Sequence, residues 1–85
     1  MIEAKRRFGR FKIPLSVIRE TPWAVRTIMS QCIIMRAEVM YLSDCIEYEA
    51  FSIKFEEVQK GCVMPEYNWV ISDSEGVHAE KVSYD

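Results

Sequence analysis

Apolar residues recur along this chain with two different periods, and the switch between them marks out most of its elements. Val25, Ile28, Met29 and Cys32 fall at i, i+3, i+4 and i+7, one face of a helix. Thr21-Pro22 supplies its start: threonine is a favoured N-cap, and proline suits the first helical position because its missing N–H would be unpaired there anyway. The same three- and four-residue steps run on through Met35, Val39 and Leu42, so one amphipathic helix from Pro22 to Leu42 fits the pattern. A competing period begins at Ile33-Ile34. From there the odd positions read Ile, Met, Ala, Val and Tyr while Arg36 and Glu38 are even, the alternation of a half-buried strand. Ser43-Asp44 is a turn signal, and Cys45–Phe51 alternates again with Ile46, Tyr48 and Ala50 on one face. Two alternating runs across Ser-Asp predict a β-hairpin, and strand is preferred to helix over 33–42.

The remaining segments are shorter. Pro14 discourages a helix at Ile13, and residues 15–20 are ambiguous. Beyond Phe55, Gln59-Lys60-Gly61 reads as a loop closed by Pro65; Tyr67, Trp69 and Ile71 alternate as a third strand; Asp73-Ser-Glu-Gly76 is a tight turn; and Val77–Tyr84 is a weaker fourth strand. The expected fold is α+β, one short N-terminal helix packed on a four-stranded antiparallel sheet, in a single domain spanning 1–85 with a basic N-terminal arm at 1–13.

Composition narrows the function classes. The 85 residues are 49% hydrophobic with 12% aromatics, which argues against disorder. A compact chain of this mass exposes about 5,200 Å², enough burial for one modest core. A chain this short and this apolar often completes its core by self-association. The Ile33–Leu42 run sharpens that expectation, because Ile34, Met40 and Leu42 give it a second apolar face. No apolar run approaches the ~20 residues that span a bilayer, and no apolar region follows the basic start, so a cytoplasmic protein without a membrane partner is expected. Cys32, Cys45 and Cys62 lack paired spacing and are expected to be reduced. No phosphate-binding glycine loop or metal-ligand spacing occurs, and the lone His78 has no nucleophile near it in sequence. A non-enzymatic protein without catalytic residues, metal or cofactor is expected.

Charge adds a contrast. Residues 1–36 carry eight basic and two acidic side chains (+6) and residues 37–85 three basic and eleven acidic (−8), so the net −2 conceals two opposed halves. The candidate binding residues are Lys5, Arg6, Arg7, Arg10 and Lys12, interleaved with Phe8 and Phe11, together with Tyr48 and Trp69 on the expected sheet. Cations meet phosphates and aromatics stack on bases, so this arm could contact nucleic acid or an acidic protein surface. The plainer reading is an edge strand or tail whose phenylalanines dock on its own sheet while its charges face the acidic half. Glu47 and Glu49, with Glu38 across the hairpin, could form a carboxylate cluster, but such rows are usually a solvated strand face.

Arg36-Ala-Glu38, Ser43-Asp-Cys-Ile-Glu-Tyr-Glu-Ala-Phe-Ser52, Phe55, Gly61 and Pro65-Glu-Tyr67 form a pattern that resembles small uncharacterised proteins encoded by bacteriophages and prophages. The resemblance covers less than half of the chain and carries no catalytic residue. It implies a phage accessory protein in the host cytoplasm, binding and inhibiting a host protein or defence system. The expected partner is therefore a host protein, with a homo-oligomer as the working assembly. The alternatives are a nucleic-acid-binding module using the basic–aromatic arm, and a protein that sequesters a small nucleotide between subunits.

Overall fold

A computed structural model describes residues 6–59, 61–72, 74 and 76–82. In chain order the elements are β1 (Phe8–Pro14), α1 (Leu15–Glu20), α2 (Pro22–Ser30), β2 (Ile33–Met40), β3 (Cys45–Phe51), β4 (Glu66–Ser72) and β5 (Gly76–Lys81). The fold is α+β, but with five strands where four were expected and two helices where one was. The sheet order is β2-β3-β1-β4-β5. It is mixed rather than antiparallel, because β4 runs parallel to β1, pairing Arg10 with Glu66 and Phe11 with Tyr67. No helix among the described residues is long and apolar enough to cross a membrane.

The largest departure lies at the N-terminal side. Residues 8–13 of the expected arm, with Pro14, form the central strand, hydrogen-bonded to β3 on one side and β4 on the other. Their alternation explains this: Gly9, Phe11 and Ile13 are buried, while Arg10 and Lys12 fall on the opposite face. Arginine and lysine masked a period-2 signal that reads plainly once the inward residues are taken alone. Pro14 ends the strand in an extended conformation, and Leu15 begins α1.

Thr21 joins the helices. Its side chain makes no capping bond; instead its N–H closes α1 onto Val17 O at 2.8 Å and its carbonyl accepts from Ala24 N–H at 3.0 Å. Pro22 stands at the first position of α2, as its missing donor allows. Ala24 and Ile28, four residues apart, are the buried stripe of α2. That helix ends at Ser30, and the β-branched Ile33-Ile34 opens β2, so the helical period does not continue to Leu42. The turn at 41–44 closes the β2–β3 hairpin, with Asp44 at φ 52.

The 52–65 connection carries the chain past the start of β1 from one flank to the other. It is fastened by Ser52 N–H to Arg7 O (3.0 Å), Val58 N–H to Arg6 O (2.6 Å) and Arg10 N–H to Pro65 O (3.0 Å). Ser52 is buried; its hydroxyl donates to Gln31 O at 2.7 Å and accepts from Lys54 N–H at 3.1 Å. Phe55 is buried and stacks on Tyr67 with centroids 4.3 Å apart. The core is Phe11, Ile13, Ile28, Ala50, Phe55 and Tyr67, between one sheet face and the helices. The helices lie against β1 and β5 and leave the β2 end of that face uncovered.

Candidate functional site

The residues that suggested a binding arm do not form one surface. Lys5 lies outside the described residues. Arg6 is exposed, and Arg7 is tied into the fold, its Nη1 donating to Phe55 O at 2.8 Å. Phe8 packs edge-on against Phe51. Phe11 is 1% exposed; it stacks on Tyr48 at 5.3 Å and meets Trp69 edge-on at 5.6 Å. Phe11, Tyr48 and Trp69 are therefore packing residues of the core face, and burial pushes the Tyr48 phenol up from its ordinary pKa. Arg10 and Lys12 point to the other face. The basic–aromatic interleaving is the in–out alternation of a central strand, not a stacking platform for bases. Gly9 also belongs to the packing, not to a bend: a Cβ there would come within 2.7 Å of the Tyr67 ring and 2.9 Å of Phe55.

On the open face the opposed charges of the two halves meet. Arg10 lies opposite Glu49 on β3 and Glu66 on β4, and Lys12 lies opposite Glu47. Arg36 on β2 reaches Glu38 at 2.9 Å and Glu49 at 3.7 Å. The acidic row of β3 is thus flanked by cations, and Glu38 and Glu47 face one another directly across the hairpin. Among the described residues the ion pairs that join the two halves are those of Arg36, while Arg10 and Lys12 stand beside carboxylates by register and Arg10 Nε is buried without a hydrogen-bond partner.

Among the described residues, exposed large apolar side chains are most concentrated in β2 with its turn. Ile33, Ile34, Met35, Val39, Tyr41 and Leu42 are all exposed, with Tyr41 at 88% and Leu42 at 105%. Register assigns faces: Ile34 pairs with Ala50, Ala37 with Tyr48 and Val39 with Ile46, so these three share the core face beyond the reach of the helices. Main-chain bonds give the edge. Leu15 N–H bonds Asp44 O and Ser52 N–H bonds Arg7 O, so even-numbered residues of β3 bond toward β1 and odd-numbered ones toward β2. By register, Arg36, Glu38 and Met40 bond back to β3, and Ala37 and Val39 present their N–H and C=O groups outward. None of these edge residues was among the sequence's candidate binders, although the two-faced apolar pattern of 33–42 carried the signal.

Other groups are less suggestive. A groove of about 340 Å³ runs between the end of α2 and the end of β3, lined by Cys32, Ile33, Phe51, Ser52 and Ile53 among others. Burial pushes the Cys32 thiol up from its ordinary pKa, opposed in part by its bond to Ser52, so it is held as a thiol. His78 is exposed, 3.4 Å from Glu80. Lys81 pairs with Glu56 at 2.8 Å, which raises the ammonium pKa. Among the described residues no cluster of three or more His, Cys, Asp or Glu is placed to hold a metal ion. The chain matches no known family model, no curated protein and no solved structure.

Proposed function

We propose that this chain is a small non-enzymatic binding protein that acts by laying an exposed apolar hairpin against another protein. The observation that carries it is the concentration of uncovered Ile, Met, Val, Tyr and Leu side chains between Ile33 and Leu42. A concentration of exposed apolar side chains on a small chain is costly to leave in water and commonly marks an interaction site. The resemblance of residues 36–67 to phage-encoded proteins adds the setting, an accessory protein directed at a host protein or defence system. Nucleic-acid binding finds less support, because Arg10 and Lys12 already face carboxylates and Phe11 is inside.

The test places a photo-crosslinking amino acid at Tyr41 or Leu42 in one set of variants and at Lys12, on the open face, in another. Irradiation in the cells where the protein acts is expected to give a discrete heterologous adduct from positions 41 and 42 and none from 12. Adducts only from position 12, or none from any position, overturn the proposal.

A further inference from the structure

We infer that the β2 edge is closed by the β2 edge of a second copy, antiparallel and centred on Ala37, so that Arg36 of each copy lies opposite Glu38 of the other. This rests on reading the hairpin as a contact surface, and it names the edge's own partner.

Three observations select this pairing. First, only Ala37 and Val39 of the regular part of β2 turn their main-chain groups outward. A two-fold antiparallel ladder must set outward-facing residues opposite one another, so its centre falls on a residue and not between two. Second, charge distinguishes the possible centres, a centre on Val39 setting Glu38 only against Met40 and so gaining no ion pair. Centred on Arg36, the pairing sets arginine against arginine; centred on Glu38, it sets glutamate against glutamate. Like charges directly opposite are destabilising. Centred on Ala37, it sets Arg36 against Glu38 twice, in the closer, non-hydrogen-bonded positions, with Met35 opposite Val39 on each side. The two side chains are 63% and 57% exposed and already meet at 2.9 Å within one strand, so a second copy would exchange or extend an exposed contact. Third, Glu38 stands across the hairpin from Glu47 and is bridged by Arg36 of its own strand. Arg36 of a second copy would supply a cation on Glu38's other side, completing an alternating cluster with the existing Arg36–Glu38 contact of 2.9 Å.

The register shift between Ile34 and Arg36 confines the new ladder to the Ala37–Val39 stretch and its neighbours, which also limits further strand addition. The turn residues Tyr41 and Leu42 stay at the ends of the junction, where an outside protein can reach them.

Sedimentation equilibrium across a wide concentration range tests the pairing. Wild-type protein is expected to double its mass as concentration rises. E38R, which places arginine against arginine between copies while giving Glu47 a cation within the hairpin, is expected to stay folded and monomeric. R36E is likewise expected to stay monomeric, by glutamate against glutamate. An equimolar mixture of E38R and R36E restores both Arg–Glu pairs and is expected to recover the doubled mass. A37P supplies a second route: the Ala37 N–H points away from β3, so proline removes the central intermolecular bond and spares the hairpin. Wild-type protein that stays monomeric at the highest concentration, or a dimer that survives both E38R and A37P, overturns the inference. The two proposals separate cleanly, since monomeric E38R carrying the crosslinker at Leu42 still captures a heterologous protein if the hairpin is a contact surface.

Discussion

β1 and β2 are two apolar strands of one sheet with opposite fates. In β1, Gly9, Phe11 and Ile13 are buried beneath helices and beside two neighbouring strands. In β2, Ile34, Ala37 and Val39 occupy the same face and remain exposed, with one neighbouring strand and no helix above them. Apolar alternation makes a strand able to be covered; it does not supply the cover. The central strand is therefore where stability resides, and the edge is where association is expected.

Several substitutions would break that contrast if it is wrong. Phe11→Ala removes a ring that touches Tyr48, Phe55 and Trp69 and should cost about 3–5 kcal/mol in denaturant unfolding. A loss below about 1 kcal/mol would show that the centre is not the packed core. Gly9→Ala forces a Cβ into the Tyr67 and Phe55 rings and should cost about 1–3 kcal/mol, with the shift visible in the aromatic NMR signals. Ser52→Ala leaves the Gln31 carbonyl and the Lys54 N–H without their partner and should cost a similar 1–3 kcal/mol. At the edge, Leu42→Ser should change the stability of the dilute protein by less than about 0.5 kcal/mol, because the side chain touches little within its own chain. A larger loss would mean that the turn is part of the core.

Thiol chemistry gives the finest resolution. Cys62 is exposed, Cys32 half-buried and Cys45 buried, so a neutral alkylating reagent should modify them in that order, read by mass spectrometry of the digested protein. Because burial raises the Cys32 pKa, the unfolded chain loses that proton first as pH rises past the ordinary value of 9.0. Cys32 therefore makes stability fall with pH above that point, and Cys32→Ala should flatten the alkaline limb of a stability–pH curve.

Much of the architecture was legible in the residues. The α2 start at Pro22, the switch to strand at Ile33 and the 41–44 turn follow from local rules: proline without a donor, paired β-branched residues, and a Ser-Asp turn. The first strand was not legible as such. Arg10 and Lys12 look like a solvated tail unless Glu47, Glu49 and Glu66 are known to stand beside them, and those partners are distant in sequence. The site was half legible. The surplus of apolar faces in 33–42 pointed to association, while Phe11, Tyr48 and Trp69 looked equally suited to contact and are turned inward.

What the chain determined by itself is local: which segments bend, which alternate, and that opposite charges are segregated between its halves. Tertiary structure decided the rest, because strand order and helix placement depend on contacts between distant residues. By putting β1 in the middle it turned a basic stretch into a strand flanked by acidic residues of its neighbours. By leaving β2 at the rim it turned an ordinary amphipathic strand into an exposed edge, whose Arg36 and Glu38 become self-complementary only once that edge is free.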